Sequence, residues 1–111
     1  MPIYICRGNY TRDAISGMTA KPEDRSQAVA KLLKAVGGKL HGLYMTFGEY
    51  DFLLIAEAPS EKDMLAVLIV AAGSGGVANL NTTTAVSATD MKDAFAKAGS
   101  LAGQFRAAGK T

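Results

Sequence analysis

The residues best suited to chemistry lie in one short run, Gly48-Glu49-Tyr50-Asp51. A carboxylate next to a phenol can accept a proton or orient a ligand, so Tyr50 and Asp51 form a candidate binding site together with Tyr44 on a neighbouring strand. The competing interpretation, which we favour, is a hairpin turn in which Gly48 takes an unusual backbone conformation and Asp51 bonds nearby amides. Burial of Asp51 in an apolar pocket would favour the first interpretation.

His41 and Cys6 are the only histidine and the only cysteine in the chain. A metal site needs several such ligands close together, so we predict neither a metal nor a cofactor. Side-chain alternation along a strand places His41 on the face opposite Tyr44, and we include His41 as the fourth candidate ligand-binding residue. No His or Asp stands at a spacing typical of a catalytic triad with Cys6, which we interpret as a small buried apolar residue. No catalytic residue is therefore predicted.

Alternating and helical patterns of apolar residues predict the elements that would position these side chains. Strands are predicted over 3–10, 39–47, 50–57 and 77–86, and helices over 11–17, 22–36, 60–72 and 87–106. Gly48-Glu49 alone joins the two middle strands as a tight turn, which makes them a β-hairpin. A hairpin between two strand–helix units is the split βαβ arrangement of an α+β, ferredoxin-like fold. Such a fold has an antiparallel sheet with helices on one face and the other face bare.

The chain is unusually apolar for its size, since 49% of its 111 residues are apolar and a further 12 are glycine. This composition excludes intrinsic disorder, and the length is that of one domain. We assign the domain to residues 1–97 and interpret 98–111 as a helix end and flexible tail. A domain of this length buries only about two thirds of its unfolded surface. The apolar surplus therefore predicts a partner surface, and we expect a homodimer or a higher homo-oligomer.

The charge balance and the apolar runs exclude several partners and locations. A net charge of +2, from 12 basic and 10 acidic residues, is too small to predict nucleic acid or an anionic membrane as a partner. The longest apolar run, residues 64–72, is far shorter than the roughly 20 residues that span a bilayer. With no signal-peptide pattern and a single cysteine, the chain is predicted to be cytoplasmic.

Several motifs fall in the order typical of one family. Residues 44–51, Tyr-Met-Thr-Phe-Gly-Glu-Tyr-Asp, followed by Glu-Ala-Pro-Ser at 57–60, resemble the signature of the GYD domain family, small bacterial and archaeal proteins named after a Gly-x-Tyr-Asp motif. The opening strand followed by Tyr10-Thr11 and the Asn-Thr-Thr-Thr run of the last strand resemble it too, over roughly residues 2–97. The resemblance implies a ferredoxin-like fold of the dimeric α/β-barrel type. It implies no activity, because the family is biochemically uncharacterised.

Two classes of function remain open. The first, which we favour, is a homo-oligomeric small-ligand-binding or structural module without complete catalytic machinery. The alternative is a cofactor-free enzyme of the dimeric α/β-barrel kind, such as a monooxygenase, isomerase or decarboxylase. Its cavity would be lined by the four candidate residues Tyr44, Tyr50, Asp51 and His41. A PII-like trimeric regulator is disfavoured because the middle strands lack a long nucleotide-binding loop, and an RNA-recognition domain because its aromatic strand motif is missing.

Overall fold

The computed structural model describes residues 1–110, which form four strands and four helices. Along the chain these are β1 (Ile3–Tyr10), α1 (Arg12–Ala20), α2 (Ser26–Ala35), β2 (Lys39–Met45), β3 (Phe52–Glu57), α3 (Glu61–Gly73), β4 (Val77–Ala85) and α4 (Ala88–Leu101), followed by a 3₁₀ turn (Ala102–Gln104). The predicted order of strands and helices is confirmed.

The four strands form one antiparallel sheet in the order β2-β3-β1-β4. β1 pairs with both β3 and β4, so the first strand of the chain lies in the middle of the sheet. The hairpin of β2 and β3 forms one side of the sheet, and β4 is the opposite edge. This α+β, ferredoxin-like arrangement is the fold that the order of elements predicts.

Burial along the central strands alternates and so defines two different faces of the sheet. On one face Cys6 of β1 and Leu54 of β3 are buried against Leu33 of α2 and Met64 of α3. The opposite side carries a set of side chains that are only partly buried, which we call the bare face. Its apolar centre consists of Ile3 and Ile5 of β1 and Leu53 and Ile55 of β3.

Tyr4 reaches into the core with its ring and brings a hydroxyl group with it. Within residues 1–110, the Tyr4 hydroxyl oxygen is a buried side-chain atom without a hydrogen-bond partner. Because burying an unpaired hydroxyl costs free energy, replacement Tyr4→Phe should raise the free energy of unfolding by about 1 kcal/mol. Urea denaturation would measure the change, with Tyr10→Phe as a control at a half-buried tyrosine. A loss of stability in Tyr4→Phe would contradict the prediction.

The first two helices differ in their bounds from the prediction. α1 continues through Gly17 to Ala20, because one glycine costs a helix only about 1 kcal/mol. Pro22 follows the end of α1 and does not begin α2, which starts at Ser26. The Ser26 amide donates to Asp24 Oδ1 at 2.8 Å and so opens the helix there.

The connection between β2 and β3 is also longer than the predicted Gly48-Glu49 turn. β2 ends at Met45 and β3 begins at Phe52, which leaves residues 46–51 as a loop. The Thr46 amide donates to the Asp51 carbonyl at 2.8 Å, and the Thr46 hydroxyl donates to the Tyr50 carbonyl at 2.7 Å. These two bonds close the base of the loop, where the backbone hydrogen bonds between β2 and β3 would otherwise continue.

The last helix is shorter than predicted but begins where expected. The Ser87 hydroxyl accepts from the Asp90 amide at 3.0 Å, which caps the first turn of α4. α4 ends at Leu101 rather than near residue 106. It runs across residue 97, the predicted domain boundary.

Candidate functional site

A cavity of about 490 Å³ lies between the sheet and the helices α1, α2 and α3. The side chains of its floor come from the covered face of the sheet, such as Phe52 and Leu54, and those of its walls from the helices, such as Val29 and Val67. Most of its lining is therefore apolar. A volume in the range of about 300–1,000 Å³ with an apolar lining is typical of small-molecule sites.

α1 is held over one end of this cavity by the loop that precedes β4. The Thr11 amide donates to the Gly76 carbonyl at 3.0 Å, and the Thr11 hydroxyl donates to the Gly75 carbonyl at 2.7 Å. The same hydroxyl accepts from the Ala14 amide at 3.2 Å and caps α1. Ala14 and Met18 of α1 consequently line the cavity.

The charged side chains of the cavity come from one segment, the connection between α1 and α2. Lys21, Glu23 and Arg25 all line it, and Arg25 Nη1 lies 3.3 Å from Glu23 Oε1. This pair is largely exposed, so its contribution to stability is small. Within residues 1–110, the Lys21 ammonium is the charged group of the lining that has no ion-pair partner. The polar end of the cavity thus carries both hydrogen-bond donors and acceptors.

Tyr10 is the aromatic residue that joins this polar end to the apolar floor. Its ring centroid lies 5.1 Å from that of Phe52, at an interplanar angle of 43°. Burial raises the pKa of the Tyr10 phenol, the positive charge of Arg25 lowers it, and the negative charge of Asp51 raises it further. The net direction is upward, so the phenol is protonated at neutral pH and available as a hydrogen-bond donor.

Cys6 also lines the cavity and is buried in the covered face of the sheet. Burial raises the pKa of its thiol, and a hydrogen bond with Thr82 opposes that shift without reversing it. The thiolate is the nucleophilic form of cysteine, so a raised pKa makes Cys6 unreactive. This agrees with its interpretation as a small buried apolar residue.

Asp51 of the Gly-Glu-Tyr-Asp run binds the backbone of β1. Its carboxylate Oδ2 accepts from the Tyr10 amide at 2.9 Å, and its own amide donates to the Gly8 carbonyl at 2.8 Å. Asn9 Nδ2 donates to the Glu49 carbonyl at 3.1 Å, which ties the loop to the same strand. These bonds are the ones expected if the Gly-Glu-Tyr-Asp run forms a turn in which Asp51 bonds nearby backbone amides. Tyr50 is half-buried in this loop.

Tyr44 and His41 lie on the bare face, which differs from the predicted alternation. The pairing of β2 with β3 shifts between Leu40 and Gly42, so one additional residue is inserted at His41. Such a bulge places consecutive side chains on the same side. As a result, His41 Nε2 reaches Glu57 Oε2 at 3.0 Å, on the bare face. A Cβ atom on Gly42 would lie 2.8 Å from the Tyr44 ring, which shows that the ring covers Gly42.

The four residues predicted to bind a ligand are thus not brought together around the cavity. Tyr44 and His41 share the bare face, whereas Asp51 bonds to the end of β1, and none of the four lines the cavity. Sequence reasoning missed Tyr10 and Arg25. Tyr10 has a weak signal, since it continues the alternation of Tyr4, Cys6 and Gly8 toward the covered face.

Two further features bear on what the site can hold. Among residues 1–110, no group of three or more His, Cys, Asp or Glu side chains is close enough to hold a metal ion. No helix in the same part of the chain combines the length and apolar character needed to cross a membrane.

Comparison with known proteins supports both the family resemblance and the fold. The sequence model of the GYD domain matches residues 4–95. The crystal structure of TTHA0845 from Thermus thermophilus is similar with a TM-score of 0.51 at 17% identity, over 79% of this chain and 96% of that one. A hypothetical protein from Pyrococcus horikoshii, PHS023, has a TM-score of 0.48 at 18% identity, over 78% and 92% of the two chains. Identities this low bear on the fold alone, and a search of curated proteins found no match.

Proposed function

Because the GYD domain family, to which the chain belongs, consists of small uncharacterised proteins, we propose its function from its own geometry. The chain is a homo-oligomeric module that binds a small, largely apolar molecule. The cavity of about 490 Å³ between sheet and helices is the observation that carries this proposal. Its apolar floor and walls would hold the body of the ligand through burial of apolar surface.

The polar end of the cavity supplies the groups that would orient such a ligand. Tyr10 presents a protonated phenol, and Arg25 presents a guanidinium with several N–H donors. Both come from segments fixed at the end of β1 or the beginning of α2. A ligand with an apolar body and one hydrogen-bond acceptor at its end fits this arrangement.

The alternative, a cofactor-free enzyme of the dimeric α/β-barrel kind, has less support. Tyr44, Tyr50, Asp51 and His41 do not line the cavity, and Asp51 is engaged by the Tyr10 amide. Tyr10 itself is held in its protonated form. The cavity therefore offers binding groups in greater number than groups able to take up a proton.

The bare face supports the homo-oligomeric part of the proposal. Ile3, Ile5, Leu53 and Ile55 form its apolar centre, and His41 with Glu57 forms a polar pair at its margin. Two such faces pack at a distance of about 10 Å and would cover each other in a homodimer. This is the dimeric α/β-barrel arrangement that the family resemblance implies.

The location that we propose is the cytoplasm. Its support is the free, buried thiol of Cys6, which suits a reducing compartment.

Filling the cavity should weaken ligand binding. Ala14 lines the cavity from α1, and replacement Ala14→Phe should weaken binding of the neutral fluorophore N-phenyl-1-naphthylamine at least about tenfold. Fluorescence titration of the full chain measures the affinity. The control is Ala20→Phe, at an exposed position of the same helix outside the cavity. Equal affinities in the two variants would contradict binding in the cavity.

A further inference from the structure

Helix α3 exposes an apolar surface where a surface helix normally carries polar residues. Its inner side packs Met64 and Val67 into the core. On its outer side, Leu65 and Ile69 are exposed by 57% and 69%, and Val70, which also lines the edge of the cavity, is exposed by 56%. The spacing of 65 to 69 and of 66 to 70 places these residues in one strip along the helix. We call this strip the outer face of α3. A helix that is apolar all round is normally buried on both sides.

Helix α4 carries a second apolar strip that nothing within residues 1–110 covers. Met91 and Phe95, at a spacing of four, are exposed by 46% and 70%, and Leu101 continues the strip. Every residue of α4 is exposed. The Cα radius of gyration is 18.3 Å, against about 13 Å for a compact chain of this length. An unpacked helix of this length is marginal in water, so α4 needs a surface to pack on.

The direction of α4 argues against packing on α3 of its own chain. Glu57 and Ala85 both lie beside Ile3 at one end of the sheet. α3 follows Glu57 and α4 follows Ala85, each after a short connection, so both helices begin at the same end of the sheet. Side by side in one chain they would run parallel.

Charge favours the opposite orientation of the two helices. The first turn of α3 carries Glu61 and Asp63, and that of α4 carries Asp90. Parallel packing would bring these acidic turns together, which is unfavourable. In antiparallel packing, Lys97 near the end of α4 lies close to Glu61 of α3. The two helix dipoles then point in opposite directions, which is also favourable. A second copy of the chain can present α3 in that orientation.

We propose that α4 of one copy packs antiparallel on the outer face of α3 of a second copy, with Phe95 at the centre of the contact. This inference rests on the proposed homo-oligomer in that it requires self-association, but it uses a surface separate from the bare face. A two-fold axis would make the contact reciprocal, so that both strips on both copies are covered.

The contact cannot be made within a pair of copies joined through their bare faces. Two paired sheets lie about 10 Å apart, the side chains on the covered side of the second sheet add about 5 Å, and the helix layer above them adds about 10–12 Å. The outer face of α3 in such a pair is therefore about 25 Å from the sheet that α4 leaves, whereas α4 is only about 21 Å long. The helix must reach a further copy, and the assembly is larger than a dimer.

Replacement Phe95→Ala in the full chain tests the contact. Sedimentation velocity at a chain concentration of roughly 100 µM should show the parent as larger than a dimer and Phe95→Ala as a dimer. Loss of the Phe95 ring should weaken this association step roughly 10- to 100-fold. The matched control is Asp93→Ala, which introduces the same side chain at a position about 160° around the helix from Phe95. This variant should sediment like the parent.

The outcomes separate this inference from the sheet pairing. A parent that is a dimer and stays so in Phe95→Ala overturns the α4 contact and leaves the sheet pair intact. A monomeric Phe95→Ala variant supports the α4 contact and overturns the sheet pair. A monomeric parent overturns both. Binding of the fluorophore in the cavity is measured separately and does not depend on any of these results.

Cross-linking between two different copies tests the orientation. Cys6 is buried, so cysteines introduced at exposed positions are the reactive ones. A mixture of Ala66→Cys chains and mass-tagged Ala98→Cys chains should give a mixed cross-link with a short bismaleimide. Asp93→Cys on the other side of α4 should give little. A cross-link formed within a single chain carrying both Ala66→Cys and Ala98→Cys, at concentrations where the parent is dissociated, would overturn the proposal.

Discussion

Replacement of Ile55 by glutamate is expected to abolish pairing through the bare face. Ile55 lies at the centre of that face, where β3 pairs with Ile5 on one side and with Gly42 on the other. In the proposed homodimer its side chain is covered by the second copy. Arg7 lies on the same face, two positions along β1 from Ile5, and offsets part of the cost of burying this carboxylate. The remaining cost is about 3 kcal/mol, which corresponds to a loss of roughly 100-fold or more in affinity. Sedimentation equilibrium of the full chain measures the change.

The control for this variant is Thr84→Glu. Thr84 pairs with Tyr4 and so belongs to the other face of the sheet, where it is exposed. Both variants add one carboxylate to the same sheet, and they differ in the face of the sheet that carries it. Circular dichroism should show that both retain the fold, since the Ile55 side chain is only partly buried within one chain. An unchanged association constant in Ile55→Glu would rule out the bare face as the interface.

The two faces of the central strands could be predicted from the sequence because their side chains alternate regularly. Tyr4 and Cys6 in β1, and Leu54 in β3, fall on one side, and Ile5 and Ile55 on the other. Alternation is a property of each strand alone, so no knowledge of its neighbours is required. The ferredoxin-like order of elements follows in the same way from local patterns.

His41 shows where this reasoning stops. The bulge between Leu40 and Gly42 reverses the expected alternation and brings His41 to the side of Glu57 and Tyr44. A bulge depends on how β2 pairs with β3, and pairing is a tertiary property. Gly42 was the available signal, because the Tyr44 ring occupies the space that a Cβ atom would need there.

The cavity could not be predicted for a related reason. Its lining comes from the sheet and from three helices, and its polar end depends on the connection that carries Arg25. Arg25 belongs to no motif, and Tyr10 entered the family resemblance without any role in binding. Each is significant for the site because folding brings it next to the other. The motif that did stand out, around Asp51, is bound to the backbone of β1. The conspicuous residues are thus those that shape the loop.

The glycine pair after α2 shows that a correct prediction can rest on an incomplete reason. The helix predicted over 22–36 ends just before Gly37 and Gly38, and α2 ends there too, at Ala35. Gly37 has a φ of 80°, and its amide donates to the Lys34 carbonyl at 2.9 Å. The Gly38 amide donates to the Leu33 carbonyl at 2.8 Å. Together these bonds make a Schellman motif, in which only the first glycine needs the left-handed conformation. The second glycine has a different reason, which is contact with β3.

Replacement Gly38→Ala is therefore expected to destabilise the chain more than Gly37→Ala. A Cβ atom on Gly38 would lie 2.4 Å from the Glu57 carbonyl oxygen and 3.1 Å from that of Leu33. Both obstacles are backbone atoms, and Glu57 is held in the sheet by Ile3 and Lys39, so neither can move away cheaply. We expect a loss of about 3 kcal/mol or more in the free energy of unfolding, measured by urea denaturation.

The companion variant isolates the cause of that loss. At Gly37 a Cβ atom would meet only Pro59 Cγ, at an ordinary 3.5 Å, so its cost is the left-handed conformation alone, about 1–2 kcal/mol. Equal losses in the two variants would mean that the turn itself, and not the contact with β3, requires the second glycine. A larger loss in Gly38→Ala would instead show that the end of α2 is pressed against the sheet. That close approach fixes where α2 lies and therefore where the wall of the cavity stands.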